Sequence, residues 1–356
     1  MIRRVQMSLE SSNRSKLQKL DTVEVEALRV LNLSIDYLWQ YPSTRKFDKP
    51  PAFQTWLSYR FCQCLFIQAF NVLKKLRARK NKAKKVSKPI IKNKTFDVTK
   101  NICTFYRAEN SFDFWIKVYC LGNKINLNIP SRKHKQFLKY SQSGWKLLNS
   151  SSLRKINGKW FLDVFFEKAP PAPATGTSIG LDCGYKKLLA SSDQKTYDVG
   201  MEVVYKKIVR KKQGSKAFKR ALIERNQKIN QSVKLLDLKN IQELVVEDLK
   251  DVKKSSKGKI RKQFMNKLQR WSYPKVLDKL QMVSEEVGVK LLKVSPAYTS
   301  QTCSLCGAVD KLSRKGESFC CTACGMKMDA DFNAAKNILM RGVYSPPSVT
   351  NQLEII

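Results

Sequence analysis

Two Cys-x-x-Cys pairs near the C-terminal end, Cys303–Cys306 and Cys321–Cys324, limit what this 356-residue chain can become more than any other feature. Fourteen residues separate the pairs, and a glycine follows each one (Gly307, Gly325). Two such knuckles bring four thiolates into a tetrahedron around one ion, at about 2.3 Å from each sulfur, which makes a closed structural Zn²⁺ site. An ion with four sulfur ligands has no open position, so its role is folding and positioning, not hydrolysis. Cys320 lies one place out of register, and only Cys321 completes the Cys-x-x-Cys spacing with Cys324. The remaining cysteines are scattered, which suits a reducing, intracellular compartment better than a disulfide framework.

Charge narrows the partner. Lys and Arg total 68 against 29 Asp and Glu, a formal +39 at pH 7. So large an excess repels itself unless a polyanion neutralises it, and its spread along the whole chain favours nucleic acid over a membrane surface. The most apolar stretch, Phe61 to Leu73, is interrupted by Gln63 and Gln68 and is shorter than the ~20 residues of a membrane span. MIRRVQMSLE has two arginines but no apolar segment of the signal-peptide kind. These features predict a cytoplasmic, nucleoid-associated protein with no membrane partner.

Along the chain, Val5–Met7–Leu9 alternate as in a strand. Helical patterns follow over Thr22–Tyr41 and Phe53–Arg79, parted by Pro50 and Pro51. Lys74–Lys94 is a basic run that reads as a solvated loop, as a phosphate-binding connection, or as both; its candidate contacts are Lys74, Lys75, Arg77 and Arg79. From Phe96 to Phe166 the period becomes two, with a hairpin signal at Asn157–Gly158. This predicts a β-barrel domain over 1–20 and 95–168, completed by the N-terminal strand, with 21–94 inserted as a helical unit. Two adjacent prolines and Gly176 mark a linker over 169–178. Beyond it, mixed α/β patterning runs over 179–298 and 327–345 around a ribbon at 299–326, with a tail at 346–356. A single helix is expected over about 202–237. Basic residues recur at Lys206, Lys207, Arg210, Lys211 and Lys212, and again from Lys253 to Lys275, which includes Arg270. Trp271 and Tyr273 stand there as candidates for base stacking, with core packing as the competing role of Trp271.

Three acidic residues carry the candidate chemistry. Asp182 closes a short strand in IGLDCG, where Gly184 lets the chain turn; Glu247 closes another in LVVEDL. Asp331 lies in DADFNAAKNIL, whose small and apolar spacing predicts a packed helix. Acids at strand ends beside a helix can converge, and converging carboxylates bind hard divalent cations through oxygen. Two Mg²⁺ ions about 3.5–4 Å apart would activate water and stabilise a leaving oxygen on phosphate. Asp248 and Asp329 are neighbouring carboxylates that compete for the same assignment.

YTSQTCSLCG, FCCTACG and DADFNAAKNIL resemble the C-terminal signature of the TnpB family of transposon-encoded, RNA-guided nucleases, which is related to type V CRISPR effectors. IGLDCGYKKLLASSD and LVVEDLKDV resemble that family's first two RuvC motifs. The resemblance is specific over Ile179–Leu339 and architectural upstream. It implies an α+β multidomain chain: a wedge-like N-terminal β-barrel with a helical insertion, then a RuvC/RNase H-like nuclease domain carrying the zinc ribbon. It implies Asp182, Glu247 and Asp331 as the Mg²⁺-binding triad and Cys303, Cys306, Cys321 and Cys324 as the zinc ligands. It also implies a guide RNA, target double-stranded DNA beside a short protein-read motif, a prokaryotic source, and a monomer or an asymmetric dimer on one RNA. The insertion departs from the family pattern, with Cys62 and Cys64 and no alignable motif-reading residues; Tyr59, Arg60 and Gln63 are the candidates there. Arg314, in the ribbon, is a candidate to reach the scissile phosphate.

Other nuclease and transposase chemistries fit less well. A DDE site reads Asp, Asp, Glu, whereas the order here is Asp, Glu, Asp. A histidine-pair transposase or an added HNH domain needs histidines, and His134 is the only one. No G-x-x-x-x-G-K-[ST] loop supports ATP-driven chemistry. Two alternatives to the transposon nuclease stay open: a miniature type V CRISPR effector, and an RNA-guided DNA-binding repressor that does not cut.

Overall fold

The computed structural model describes residues 1–80, 87–93, 95–106, 112, 114–142, 144–249 and 271–344. The chain divides into two compact units, Met1–Ala169 and Pro170–Ile356.

The first unit runs β1 (Ile2–Ser8), α1 (Arg14–Gln40), α2 (Tyr59–Lys80), β2 (Phe96–Thr99), β3 (Cys103–Tyr106), β4 (Phe114–Val118), β5 (Leu127–Ser131), α3 (Lys135–Tyr140), β6 (Lys146–Ile156) and β7 (Lys159–Glu167). Helix α1 buries Leu20, Val23, Ala27, Val30, Leu31, Ile35 and Leu38, one stripe at helical spacing. Part of that stripe packs on Phe66, Ala69 and Leu73 of α2. Asp21 ties α1 to the sheet, accepting from Lys155 Nζ at 2.6 Å and Trp160 Nε1 at 2.8 Å. The N-terminal strand pairs antiparallel with β7, from Ile2 opposite Glu167 to Ser8 opposite Phe161. The expected barrel does not form among the described residues. The strands make two separate sheets instead, β1-β7-β6-β2 and β3-β4-β5. Strand β4 pairs antiparallel with β3 and β5, its neighbours in sequence, so these ladders stay local.

The second unit runs β8 (Thr177–Asp182), β9 (Leu189–Ser191), β10 (Thr196–Tyr197), α4 (Met201–Val209), α5 (Lys216–Lys234), β11 (Ile241–Glu247), α6 (Tyr273–Val287) and β12 (Lys290–Val294). A 3₁₀ turn (Lys311–Ser313), β13 (Arg314–Lys315), β14 (Ser318–Cys320), β15 (Lys327–Asp329) and α7 (Ala330–Tyr344) complete it. Its five-stranded sheet has the order β10-β9-β8-β11-β12. Strands β8, β11 and β12 are parallel, while β9 and β10 are antiparallel neighbours. Parallel central strands are buried on both faces, hence the apolar run Leu244–Val245–Val246. The single helix expected over about 202–237 is two helices: Gly214 takes φ +83°, and Ser215 caps α5 by accepting from Phe218 N at 3.1 Å. Helix α7 lies so close to β8 that a Cβ on Gly180 would sit 2.2 Å from the Ala335 carbonyl oxygen. Among the described residues, no helix is long and apolar enough to cross a membrane.

Candidate active site

The sheet register brings the first two carboxylates together. Val246 of β11 is level with Leu181 of the parallel strand β8, so Glu247 and Asp182 leave neighbouring strands at the same edge. A tight turn follows Asp182, in which Gly184 N bonds Leu188 O at 3.2 Å. A Cβ at Gly184 would stand 2.5 Å from Lys187 O, so this turn requires glycine. Trp271 Nε1 donates to the Gly184 carbonyl at 3.1 Å. The hydroxyl of Tyr273 donates to the Glu247 carbonyl. Both rings face the unit's core, Tyr273 buried and Trp271 packed against it, so they serve packing and site support rather than an exposed stacking surface.

Asp331 comes from the first turn of α7. It lines one cavity of about 750 Å³ with Asp182, Glu247, Tyr185, Lys186, Thr299 and Arg314. The competing carboxylates have other work. Asp329 caps α7 by accepting from Asp331 N at 2.9 Å and pairs with Lys187 Nζ at 2.5 Å. Asp248 is exposed and does not line the cavity. Asp331 itself faces two cations, Arg314 Nη2 at 3.2 Å and Lys187 Nζ at 3.8 Å.

The charges of the other two acids reach Asp182 across the cavity. Asp182 is partly open to the cavity but deep in the protein mass; burial first, then the charges of Glu247 and Asp331, push its carboxyl up to about 8. Burial also raises Glu247, against the opposing hydrogen bond from the Thr299 hydroxyl. A carboxylate held up by burial and by the charges of two neighbouring acids, as Asp182 is, is what a hard divalent cation relieves, and an all-carboxylate donor set suits Mg²⁺. Lys187 and Thr299 were not singled out in the sequence, because each meets the site only through tertiary contact, and Tyr273 was singled out for base stacking rather than for its bond to the Glu247 carbonyl. The sole advance signal was that Thr299 and Lys187 stand inside the family-like segments.

In the ribbon, the sulfurs of Cys303, Cys306, Cys321 and Cys324 all lie within 4.8 Å of one another. The closest cross-knuckle pairs are Cys303–Cys324 at 3.7 Å and Cys306–Cys321 at 3.6 Å. Four Zn–S bonds of ~2.3 Å in a tetrahedron place sulfurs about 3.8 Å apart, so the cluster fits the ion. Backbone amides, led by that of Cys324, lower the Cys321 thiol, while the neighbouring sulfurs of the same cluster raise Cys324, so the two titrate as a pair. Cys320 is exposed and outside the cluster.

The basic candidates scatter. Tyr59 and Arg60 are exposed and Gln63 half-buried on α2. Lys74 and Lys75 are exposed. Arg77, by contrast, donates to Leu38 O at 2.8 Å and Pro42 O at 3.3 Å, closing the end of α1. Lys211 and Lys212 are exposed beyond α4. Arg270 and the side chain of Arg79 lie outside the described residues. Arg314 joins the carboxylates directly.

Fold and site together define a class: a mixed sheet whose adjacent parallel strands and crossing helix gather three acids beside a four-cysteine knuckle pair. Residues 273–338 match the family model "Cas12f1-like, TNB domain". The chain is 44% identical over 77 residues to the CRISPR-associated endodeoxyribonuclease Cas12f1 of Sulfoacidibacillus thermotolerans, covering 21% of this chain and 18% of that protein. InsQ of Escherichia coli (strain K12), named as a proposed RNA-guided DNA endonuclease, is 29% identical over 218 residues, 52% of this chain and 54% of its own. TnpB-like protein L79 of Acanthamoeba polyphaga mimivirus is 29% identical over 96 residues, 27% of this chain and 18% of its own. The chain thus spans about half the length, or less, of these curated relatives. A Cas12f1–sgRNA–target DNA complex shares the fold, with TM-score 0.63 at 16% identity, over 92% of this chain and 83% of that one. The chain is therefore related to the TnpB-like and Cas12f1 proteins, as its motifs suggested.

Proposed function

We propose that this protein is an RNA-guided, Mg²⁺-dependent DNA endonuclease that cuts double-stranded target DNA at one RuvC-like active site. The observation that carries the reading is the convergence of Asp182, Glu247 and Asp331 on one cavity at the edge of parallel strands. The strand order, with the first acid on the central strand β8 and the second on its neighbour, supports the RNase H-like assignment. Asp182, Glu247 and Asp331 would hold Mg²⁺, which when bound supplies Lewis-acid activation of water and charge stabilisation on phosphate. The chain's own residues set the stage. Thr299 and Tyr273 hold Glu247 and its strand end, Lys187 holds Asp329 and Asp331, and Arg314 brings a guanidinium to the cavity, where it can grip a scissile phosphate.

The names of the relatives support guidance by RNA: Cas12f1 as an endodeoxyribonuclease whose solved complex holds sgRNA and target DNA, and InsQ by its designation. The formal +39 suits a chain that holds both strands of a guide–target duplex by shape and backbone while base pairing reads sequence. In this reading 1–20 and 95–168 form the wedge-like domain, 21–94 the recognition insertion, 179–298 and 327–345 the nuclease, and 299–326 the zinc ribbon. The test is to express the protein with its flanking DNA and sequence the RNA that copurifies. One abundant RNA ending in a variable guide segment is the expected result. Heterogeneous cellular RNA, or none, would overturn guidance while leaving the carboxylate site to be judged separately.

A further inference from the structure

Helix α7 does more than deliver Asp331. Asn333, Asn337 and Arg341 stand four residues apart, on one stripe of the helix. All three grip the segment that joins β12 to the first cysteine knuckle. Arg341 Nη1 donates to Ser295 O at 2.8 Å. Asn337 Nδ2 donates to Thr299 O at 2.9 Å and Thr302 O at 2.6 Å. Asn333 Nδ2 donates to Thr302 O at 2.7 Å, and its Oδ1 accepts from Ser304 N at 2.9 Å. Asn333 is 0% and Asn337 6% exposed, so these bonds are sheltered from water. Backbone groups sheltered in this way need such partners. An apolar residue at 337 would leave the Thr299 carbonyl without this donor, and one at 333 would leave the Ser304 amide without its acceptor. Thr302 O is held by both asparagines.

What the gripped segment presents is Thr299, only 2% exposed, whose hydroxyl donates to the Glu247 carboxylate. Tyr298 beside it takes φ +61°, a left-handed conformation that a tyrosine keeps only where its surroundings impose it. The segment ends in Cys303, whose N–H bonds Ala308 O at 2.8 Å inside the knuckle. One stripe of one helix therefore connects the zinc knuckle, the hydroxyl on Glu247 and, at its own first turn, Asp331.

We infer that Thr299 is a positioning residue for the divalent cation held by Glu247, and that the Asn333–Asn337–Arg341 stripe sets its place relative to Asp331. The inference rests on the carboxylate reading given above. Partners of this kind orient metal-binding carboxylates, and losing one typically costs 10–100-fold in metal affinity.

The experiment titrates Mn²⁺ into the zinc-loaded full chain and follows free Mn²⁺ by its EPR signal, with zinc content and Tm measured alongside. Thr299→Val should raise the Mn²⁺ dissociation constant roughly 10–100-fold with zinc retained, and Thr299→Ser should restore it. Asn337→Ala should weaken Mn²⁺ in the same way without touching the hydroxyl. Wild-type Mn²⁺ affinity in Thr299→Val or in Asn337→Ala, with Asp182→Ala losing the ion, would overturn this inference alone. Wild-type affinity in Asp182→Ala would overturn the carboxylate reading, and this inference with it.

Discussion

Residue type and residue role part company most clearly among the cations and the thiols. Arg77 was a phosphate candidate by its place in a basic run, yet its guanidinium is spent on the Leu38 carbonyl in the last turn of α1 and on the Pro42 carbonyl just beyond it. Arg77→Ala should therefore lower stability by about 1–2 kcal/mol in denaturant melts, the worth of charged hydrogen bonds, rather than reduce RNA affinity. The exposed Lys74 and Lys75 should behave oppositely: replacing both with Ala should leave the melt unchanged. If they touch phosphate, the slope of log affinity against log salt should shrink by about 1–2. Thiols separate in the same way. Burial pushes Cys103 up to about 12, whereas Cys120 is exposed. Native alkylation at pH 8 followed by peptide mass mapping should label Cys120 and spare Cys103. The three acids were legible as strand-end and helix-start residues. Thr299, Lys187, Asn333 and Asn337 were not, because a hydroxyl or an amide shows its partner only when distant segments meet.

At the scale of elements, most strands and helices were written in the local pattern, and the misreadings have physical causes. Period-two patterning identifies strands but not their partners, so the expected barrel and the observed pair of sheets share one sequence signal. The break between α4 and α5 was legible in Gly214–Ser215, a glycine followed by a capping residue, but a continuous polar periodicity masked it. Helix α1 begins at Arg14, well before the expected Thr22, because propensity and the buried Leu20 carry it back to Asn13 at its cap. Gly180 holds a different lesson: it lets α7 approach β8 and so sets Asp331 near Asp182. Gly180→Ala should cost about 1–3 kcal/mol by overpacking, lowering Tm by roughly 2–12 °C, and should impair cleavage beyond what that loss explains. Unchanged cleavage in a Gly180→Ala protein would mean that the spacing of helix and strand does not matter to the site.

For the whole molecule, the proposed function pairs a structural Zn²⁺ site with a carboxylate site that would hold the reacting Mg²⁺. Zinc in the Cys303–Cys306–Cys321–Cys324 cluster would fold the ribbon that carries Arg314 and the segment that carries Thr299. Removing it with a zinc-selective chelator should cost several kcal/mol, lower Tm by roughly 10 °C or more, and abolish cleavage until zinc is restored. The central claim, though, is that the three carboxylates perform the cut and do not merely support the fold. The direct measurement compares wild type and Asp182→Ala, both loaded with the copurified guide RNA, for Mg²⁺-dependent cleavage and for binding of a matched DNA duplex. Asp182→Ala should lose cleavage by about 10³-fold or more while binding the guided target nearly as wild type does. Cleavage that survives, or binding that collapses in step with it, would contradict the assignment.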